Sequence, residues 1–222
     1  MRENIIQKRK ITTAIWEERL ERDKVLSGRQ KDAIRQYVRM HTDKPEELYQ
    51  IYHAMIRGEN YKAETLEVLM EEGQPVIKIA GNEIRAAFEQ LKDFVQKLIL
   101  LTERTLPLGS VVEVDIRELK LETEKPVSSI KAVIVDRFMK KETEKQYVPY
   151  CGIIYPFGDS KKQLFFTEQA IHTVIHYGYT DRQEDAYVAL IKREIIKKGY
   201  SSYSFAEAED DKIRMLQSDI NL

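Results

Sequence analysis

From Arg2 to about Arg104, apolar residues recur three and four positions apart among Glu, Lys, Arg and Gln. This spacing places the apolar residues on one face of an α-helix, and the polar residues between them are good helix formers. A short β-branched run from Pro75 to Ala80 is compatible with either a strand or a helix. Turn-forming residues divide the segment into successive helices, a fourth of which covers Tyr61 to Glu72. The breaks are Ser27-Gly28, His41-Thr42-Asp43, Gly58-Glu59-Asn60 and Gly73.

The clearest helical stripe in the chain runs from Ile84 to Leu98, and Asn82 is in position to cap that helix. Its apolar residues follow a four-three rhythm: Ile84, Phe88, Leu91, Val95 and Leu98. A stripe of this kind has to be buried, either in the core of the same chain or against a second copy. A homodimer through the Ile84–Leu98 helix is therefore one expectation.

After Leu106-Pro107-Leu108-Gly109 the pattern changes to period two, with many β-branched residues. Charged or turn-like links separate four strands and fit a small antiparallel meander. A short helix is expected from Thr167 to His176, and Thr180 to Gln183 forms a capping box for a last helix that ends at Gly199. The predicted strands are Ser110–Ile116, Ser129–Val135, Tyr147–Tyr155 and Lys162–Phe166.

These patterns predict an α+β protein. A helical bundle over residues 1–105 is followed by a small α+β domain over 106–200, in which an antiparallel β-meander or barrel-like sheet precedes C-terminal helices. Residues 201–222 are expected to form a flexible or partner-dependent tail.

Composition narrows the class of protein without identifying a partner. The 222 residues are 42% hydrophobic and 33% charged, which is enough apolar material for a core. The 36 Lys and Arg against 37 Asp and Glu give a net charge of -1, which argues against a DNA-coating protein. The single Cys151 suggests a reducing compartment. No stretch approaches the ~18 apolar residues of a membrane span, so we expect a cytoplasmic protein.

The residues that could carry catalysis form no complete constellation. His172 and His176 are four apart, which on a helix would let both bind one metal ion, but Thr173 stands where a zincin has its catalytic Glu. An enzyme that uses a metal ion bound by these two histidines stays an alternative. Cys151 shows no activating neighbour, and the glycines match neither a P-loop nor a dinucleotide fingerprint. We therefore predict no catalytic residue, no cofactor and no enzymatic activity.

Two features favour binding functions. Residues 2–40 contain eleven Lys and Arg against six Asp and Glu, so a nucleic-acid-binding regulator is one alternative, although such charges also pair with each other on solvated helices. Tyr residues concentrate in the second half of the chain. Tyr is enriched at protein interfaces, but half-buried Tyr also lines the edges of small sheets, and the sequence leaves both roles open.

Three segments in the second half carry a family resemblance. They are Leu106-Pro-Leu-Gly-Ser-Val-Val112, Tyr150-Cys-Gly-Ile-Ile-Tyr-Pro-Phe-Gly158, and Phe165 to the Gly178-Tyr179 pair. Their order resembles an uncharacterised Gram-positive (Bacillota) domain of unknown function, often encoded near type VII secretion and LXG toxin genes. The resemblance covers about residues 106–195. The sequence departs from the pattern in the charged loop at 140–145 and at both histidines, and residues 1–105 lie outside it.

The resemblance implies a cytosolic accessory protein, a chaperone or adaptor that binds a secretion client such as an LXG toxin, with an immunity protein as an alternative. It implies no catalytic residues. Turns and close strand approach explain the motif glycines and prolines. The contact residues predicted for a protein partner are Tyr150, Tyr155, Phe157, Tyr177 and Tyr179.

Overall fold

The computed structural model describes residues 14–22, 26–41, 44–115, 128–141, 143–159, 161 and 163–205. Within this part of the chain the contacts define two compact units. The N-terminal unit contains the residues up to Thr105 and the segment Asp185–Ile196, and the C-terminal unit contains Leu106–Glu184 and the residues from Lys197 onward. The last helix therefore begins in one unit and continues in the other.

Helices and one antiparallel sheet build the N-terminal unit. The helices are α1 (14–22), α2 (Gly28–Met40), α3 (Glu46–Arg57), α4 (Phe88–Thr102) and most of α5 (Arg182–Lys198). The strands are β1 (Tyr61–Lys62), β2 (Leu66–Glu71), β3 (Gln74–Ile79) and β4 (Asn82–Ile84). They pair in chain order, β1-β2-β3-β4.

The two faces of this sheet differ in chemistry. Helices α2, α3 and α4 contact the strands, and buried Leu66, Val68 and Ile77 lie on the covered face. The opposite face carries a row of alternating charges across the strands, because Glu67 is opposite both Lys62 and Lys78. Ion pairs of 2.9 Å join Lys62 to Glu67 and Lys78 to Glu83 on this face, which also carries the buried Val76.

The α+β class is confirmed, but the description of the first half as a helical bundle is incomplete. The fourth helix predicted at residues 61–72 is wrong, because β1 and β2 occupy that segment. Glu72 and Gly73 have φ of 50° and 78° and form a two-residue turn that pairs β2 with β3. Cross-strand pairing and burial thus outweigh the helix propensity of the segment. The run from Pro75 is the strand β3.

The dimer predicted through the Ile84–Leu98 helix is not supported. Ile84 belongs to strand β4, and α4 begins only at Phe88. Leu91 and Leu98 are almost fully buried within the single chain. The stripe is therefore intramolecular core. Asn82, expected as a helix cap, lies on β4 and donates through its side-chain amide to the Ala80 carbonyl at 3.1 Å.

The C-terminal unit is built around a mostly antiparallel sheet. Its strands are β5 (Val111–Asp115), β6 (Ser129–Lys141), β7 (Gln146–Ile154), β8 (Gln163–Phe166), β9 (Ile171–His176) and β10 (Ser201–Ser202). The strand order is β10-β7-β6-β5-β9, and β8 also pairs with β7. The pairing of β10 with β7 is parallel.

The connection between β8 and β9 requires this sheet to curve. These strands lie on opposite sides of the β7-β6-β5 series, yet only the four residues 167–170 join them, and 168–170 form a 3₁₀ turn. A flat sheet would place the two strands about 19 Å apart, whereas the five Cα steps from Phe166 to Ile171 reach about 18 Å only when fully extended. The curved sheet surrounds a core of Val112, Val114, Ala132, Ile134, Tyr150, Leu164, Phe166 and Ala170.

Two predictions in this half need correction. The helix expected from Thr167 to His176 is a 3₁₀ turn followed by strand β9, because Ile171 and Val174 pair with β5 and pack against the core. The tail expected from residue 201 begins with folded residues, since β10 pairs with β7 and Tyr203 is buried. Residues 206–222 lie outside the described part of the chain. The last predicted helix is α5, and among the described residues it is the one α-helix that follows strand β9.

A membrane span has no candidate in the described part of the chain. No helix there combines the length and the apolar composition that crossing a bilayer requires.

Candidate protein-binding surface

Tyr150 and Leu106, from two different motif segments, meet inside the C-terminal unit. Tyr150 is 1% exposed, and its hydroxyl accepts a hydrogen bond from the Leu106 backbone N–H at 3.1 Å. The ring stacks on Phe166 with centroids 5.7 Å apart. The prediction that Tyr150 contacts a partner is therefore corrected: its side chain lies in the core and fixes the start of the domain.

Ser110 connects the first motif to the third. Its hydroxyl donates to the Pro107 carbonyl at 2.7 Å and accepts from the Gly178 N–H at 3.0 Å. A Cβ on Gly178 would lie 2.0 Å from the Leu108 carbonyl oxygen, so only glycine fits there.

Gly152 in the second motif is also tightly packed. A Cβ at this position would lie 3.1 Å from the Ala132 side chain, the Phe166 ring and the Val133 carbonyl. Packing thus explains Gly152, Gly178 and the buried Tyr150, and a binding role has to be sought among the exposed residues.

An apolar row crosses the outward face of the same sheet. The registers place Val111 opposite Val133, and Val133 opposite Ile153, on three neighbouring strands. These side chains point away from the core because their neighbours Val112, Ala132 and Gly152 point into it. At one end of the row Val111 is paired with His176 of β9.

Exposed aromatic residues flank both ends of this row. Tyr155 and Phe157 follow Ile153 in the turn after β7 and are 57% and 82% exposed, and the Tyr155–Pro156 peptide bond is cis. Tyr177 and Tyr179 follow β9 and are 47% and 82% exposed. We call the apolar row and these four residues the aromatic surface.

Sequence reasoning missed other exposed apolar residues in this unit. Leu108, Val135 and Ile175 are between 37% and 48% exposed. Leu108 could have been found, because an apolar residue between Pro107 and Gly109 lies in a turn and turns are on the surface. Val135 could not, because its exposure depends on a register shift in the pairing of β6 with β7.

The structure does not bring the two candidate metal ligands together. His172 and His176 lie on a strand and not on a helix, so their α-carbons are separated by about 13 Å along the chain. One metal ion cannot be ligated by both at that separation. In the described part of the chain no three His, Cys, Asp or Glu residues are grouped as a metal site would need.

Cys151 is a buried thiol. Burial, with a smaller contribution from the charge of Asp136, raises the pKa of Cys151 to about 11. At neutral pH the group is therefore a thiol and not a thiolate, and the thiolate is the nucleophile. This environment is typical of a structural cysteine.

Basic residues of α1 and α2 form ion pairs within the N-terminal unit. Arg35 pairs with Glu17 and Asp32, each at 2.7 Å, and Arg22 pairs with Glu18 at 2.8 Å. The basic excess that motivates the nucleic-acid-binding alternative is thus partly neutralised by acidic neighbours. Residues 1–13, which carry part of that excess, lie outside the described residues.

Comparison with known proteins matches one family. Residues 105–187 match the domain of unknown function DUF4176. Searches of curated proteins and of solved structures found no match. The matched segment contains the three motif segments and all four exposed aromatic residues of the aromatic surface. The expectation of an uncharacterised domain in the second half is therefore confirmed, and the match does not extend over residues 1–104.

Proposed function

We propose that this chain is a non-enzymatic accessory protein, a chaperone or adaptor that binds a protein client through the aromatic surface. The observation that carries the proposal is the position of the exposed aromatic residues: they flank an apolar row on the face of the sheet that points away from the core. The outward face of the other sheet carries ion pairs instead.

The chemistry of these residues suits protein recognition. Exposed aromatic side chains provide large contact areas at low entropic cost and are enriched at the centres of protein interfaces. Phe157 has no polar group to interact with water, yet it is 82% exposed. Apolar residues grouped on one surface, as opposed to scattered singly, are typical of interaction sites.

The class of client comes from the resemblance of the motifs. The related domains are often encoded near type VII secretion and LXG toxin genes, so we propose a Gram-positive secretion client, such as an LXG toxin, as the partner. An immunity protein would use the same surface to bind a toxin, and the two roles differ in whether binding blocks toxicity or supports export.

The first test is co-purification of the tagged full-length chain from its native host at moderate salt, with mass spectrometry of the bound proteins. A toxin or secretion component present in near-stoichiometric amount supports the proposal. Nucleic acid as the main bound species would support the alternative of a regulator, and salt-sensitive binding to random duplex DNA would then check it.

The second test uses matched variants with the identified client. Phe157→Ala and Tyr179→Ala remove exposed rings, so we expect at least a tenfold loss of affinity, about 1.4 kcal/mol or more, with little change in folding. Tyr187→Ala is the control, because Tyr187 is 52% exposed but lies on α5 in the N-terminal unit. Equal affinities for all three variants would overturn the assignment of the surface.

A further inference from the structure

Arg137 is a buried charged residue that contacts both ends of one chain segment. Its side chain is 3% exposed and forms a bidentate ion pair with the Glu184 carboxylate, in which Nη2 donates to Oε2 at 3.1 Å. Nη1 also donates to the Leu106 carbonyl at 3.1 Å. Leu106 and Glu184 are the first and last residues of the long segment that builds the C-terminal unit.

The backbone of β6 is irregular where it directs this side chain inward. In a regular strand Arg137 would share the outward face with Lys131 and Val133. The register with β7 shifts at Val135, and this extra residue reverses the alternation, so that Arg137 is paired with the inward-pointing Tyr150. Such a shift changes the face of the sheet to which the following side chains point, and here it turns the Arg137 side chain inward.

We infer that Arg137 is a positioning residue that fixes the segment after Leu106 and the first turn of α5 to the sheet as one coupled element. Asp181 caps α5, since its Oδ1 accepts from the N–H groups of Gln183 and Glu184 at 2.9 Å each, but this cap is local to the helix. The Arg137–Glu184 ion pair links that turn to strand β6 of the sheet. The inference does not depend on the proposed function.

Coupling follows from the geometry of the guanidinium group. Its planar fork holds a carboxylate in bidentate fashion while a further N–H reaches the carbonyl, whereas a lysine ammonium lacks this fixed geometry. Loss of the Glu184 charge leaves the buried Arg137 charge without its partner, so the side chain should reorient and release the Leu106 carbonyl as well. A change at Glu184 is therefore expected to act on a segment nearly eighty positions away in sequence.

Hydrogen exchange measured by mass spectrometry on the full chain tests the coupling, with Arg137→Lys and Glu184→Gln as variants. In both variants we expect hydrogen exchange at residues 106–109 and 182–186 to be at least about tenfold faster than in the unmodified chain. Glu144→Gln is the control, because Glu144 pairs with Lys141 on the surface. Faster exchange in Glu184→Gln at 182–186 alone, or equally throughout the unit, would overturn the inference. Glu184→Gln decides the question if Arg137→Lys does not fold.

Discussion

Replacing Tyr150 by Phe tests whether the Tyr150 hydroxyl stabilises the fold or contacts a client. The substitution removes only the hydroxyl, and the ring keeps its stack on Phe166. The Leu106 N–H then loses its acceptor in a position where Leu106 is 6% exposed. A buried donor left without a partner costs about 1–3 kcal/mol, so the C-terminal unit should lose that much unfolding free energy. Client affinity should not change.

Urea unfolding can assign this loss to the correct unit. Trp16 is the single Trp of the chain and is buried in the N-terminal unit, so its fluorescence follows that unit. Hydrogen exchange at β7 follows the C-terminal unit. We expect the exchange-derived stability of β7 to fall while the Trp16 transition stays in place. Unchanged stability together with weaker client binding would refute the reasoning, because Tyr150 would then contact the client through its hydroxyl.

Three further results are expected. Gly178→Ala should prevent the C-terminal unit from folding, since its Cβ would overlap the Leu108 carbonyl at 2.0 Å; native-like circular dichroism and exchange protection would contradict this. Cys151, whose pKa is raised to about 11 by burial, should react with a thiol reagent at pH 8 far more slowly in the native chain than in urea, and equal rates would show that the thiol is accessible. Metal analysis of the purified chain should find no zinc that depends on His172 and His176, and stoichiometric zinc lost in the His172→Ala variant would contradict the strand geometry.

The sequence predicted strands best where alternation and β-branched residues agree, as from Val111 to Asp115. It failed at Leu66–Glu71 and at Ile171–His176, where good helix formers or helical spacing coincide with strands. In both segments the structure is decided by a partner strand distant in sequence or by a turn, and neither is visible in local spacing. In these two segments strand pairing therefore determines the secondary structure, and local helix propensity does not.

The candidate surface was predicted by residue type but not by orientation. Tyr150 and Tyr155 lie five positions apart on one extended segment, so alternation predicts that they point to opposite faces. It does not say which face is covered, and the structure places Tyr150 inside. The role of Arg137 could not be predicted, because a single extra residue in β6 changes the direction of the side chains that follow it.

The discontinuity of both units has a consequence for synthesis of the chain on the ribosome. The N-terminal unit includes Asp185–Ile196, and in the C-terminal unit β10, which pairs with β7, is formed by residues 201–202. The N-terminal unit therefore cannot complete its contacts before residue 196 has emerged, and the C-terminal unit cannot do so before residue 202 has emerged. Domains usually fold one after the other during translation, the N-terminal one first. Here each unit is expected to reach its final packing only after residues 196 to 202 have left the exit tunnel, so the two units should complete their folding nearly together.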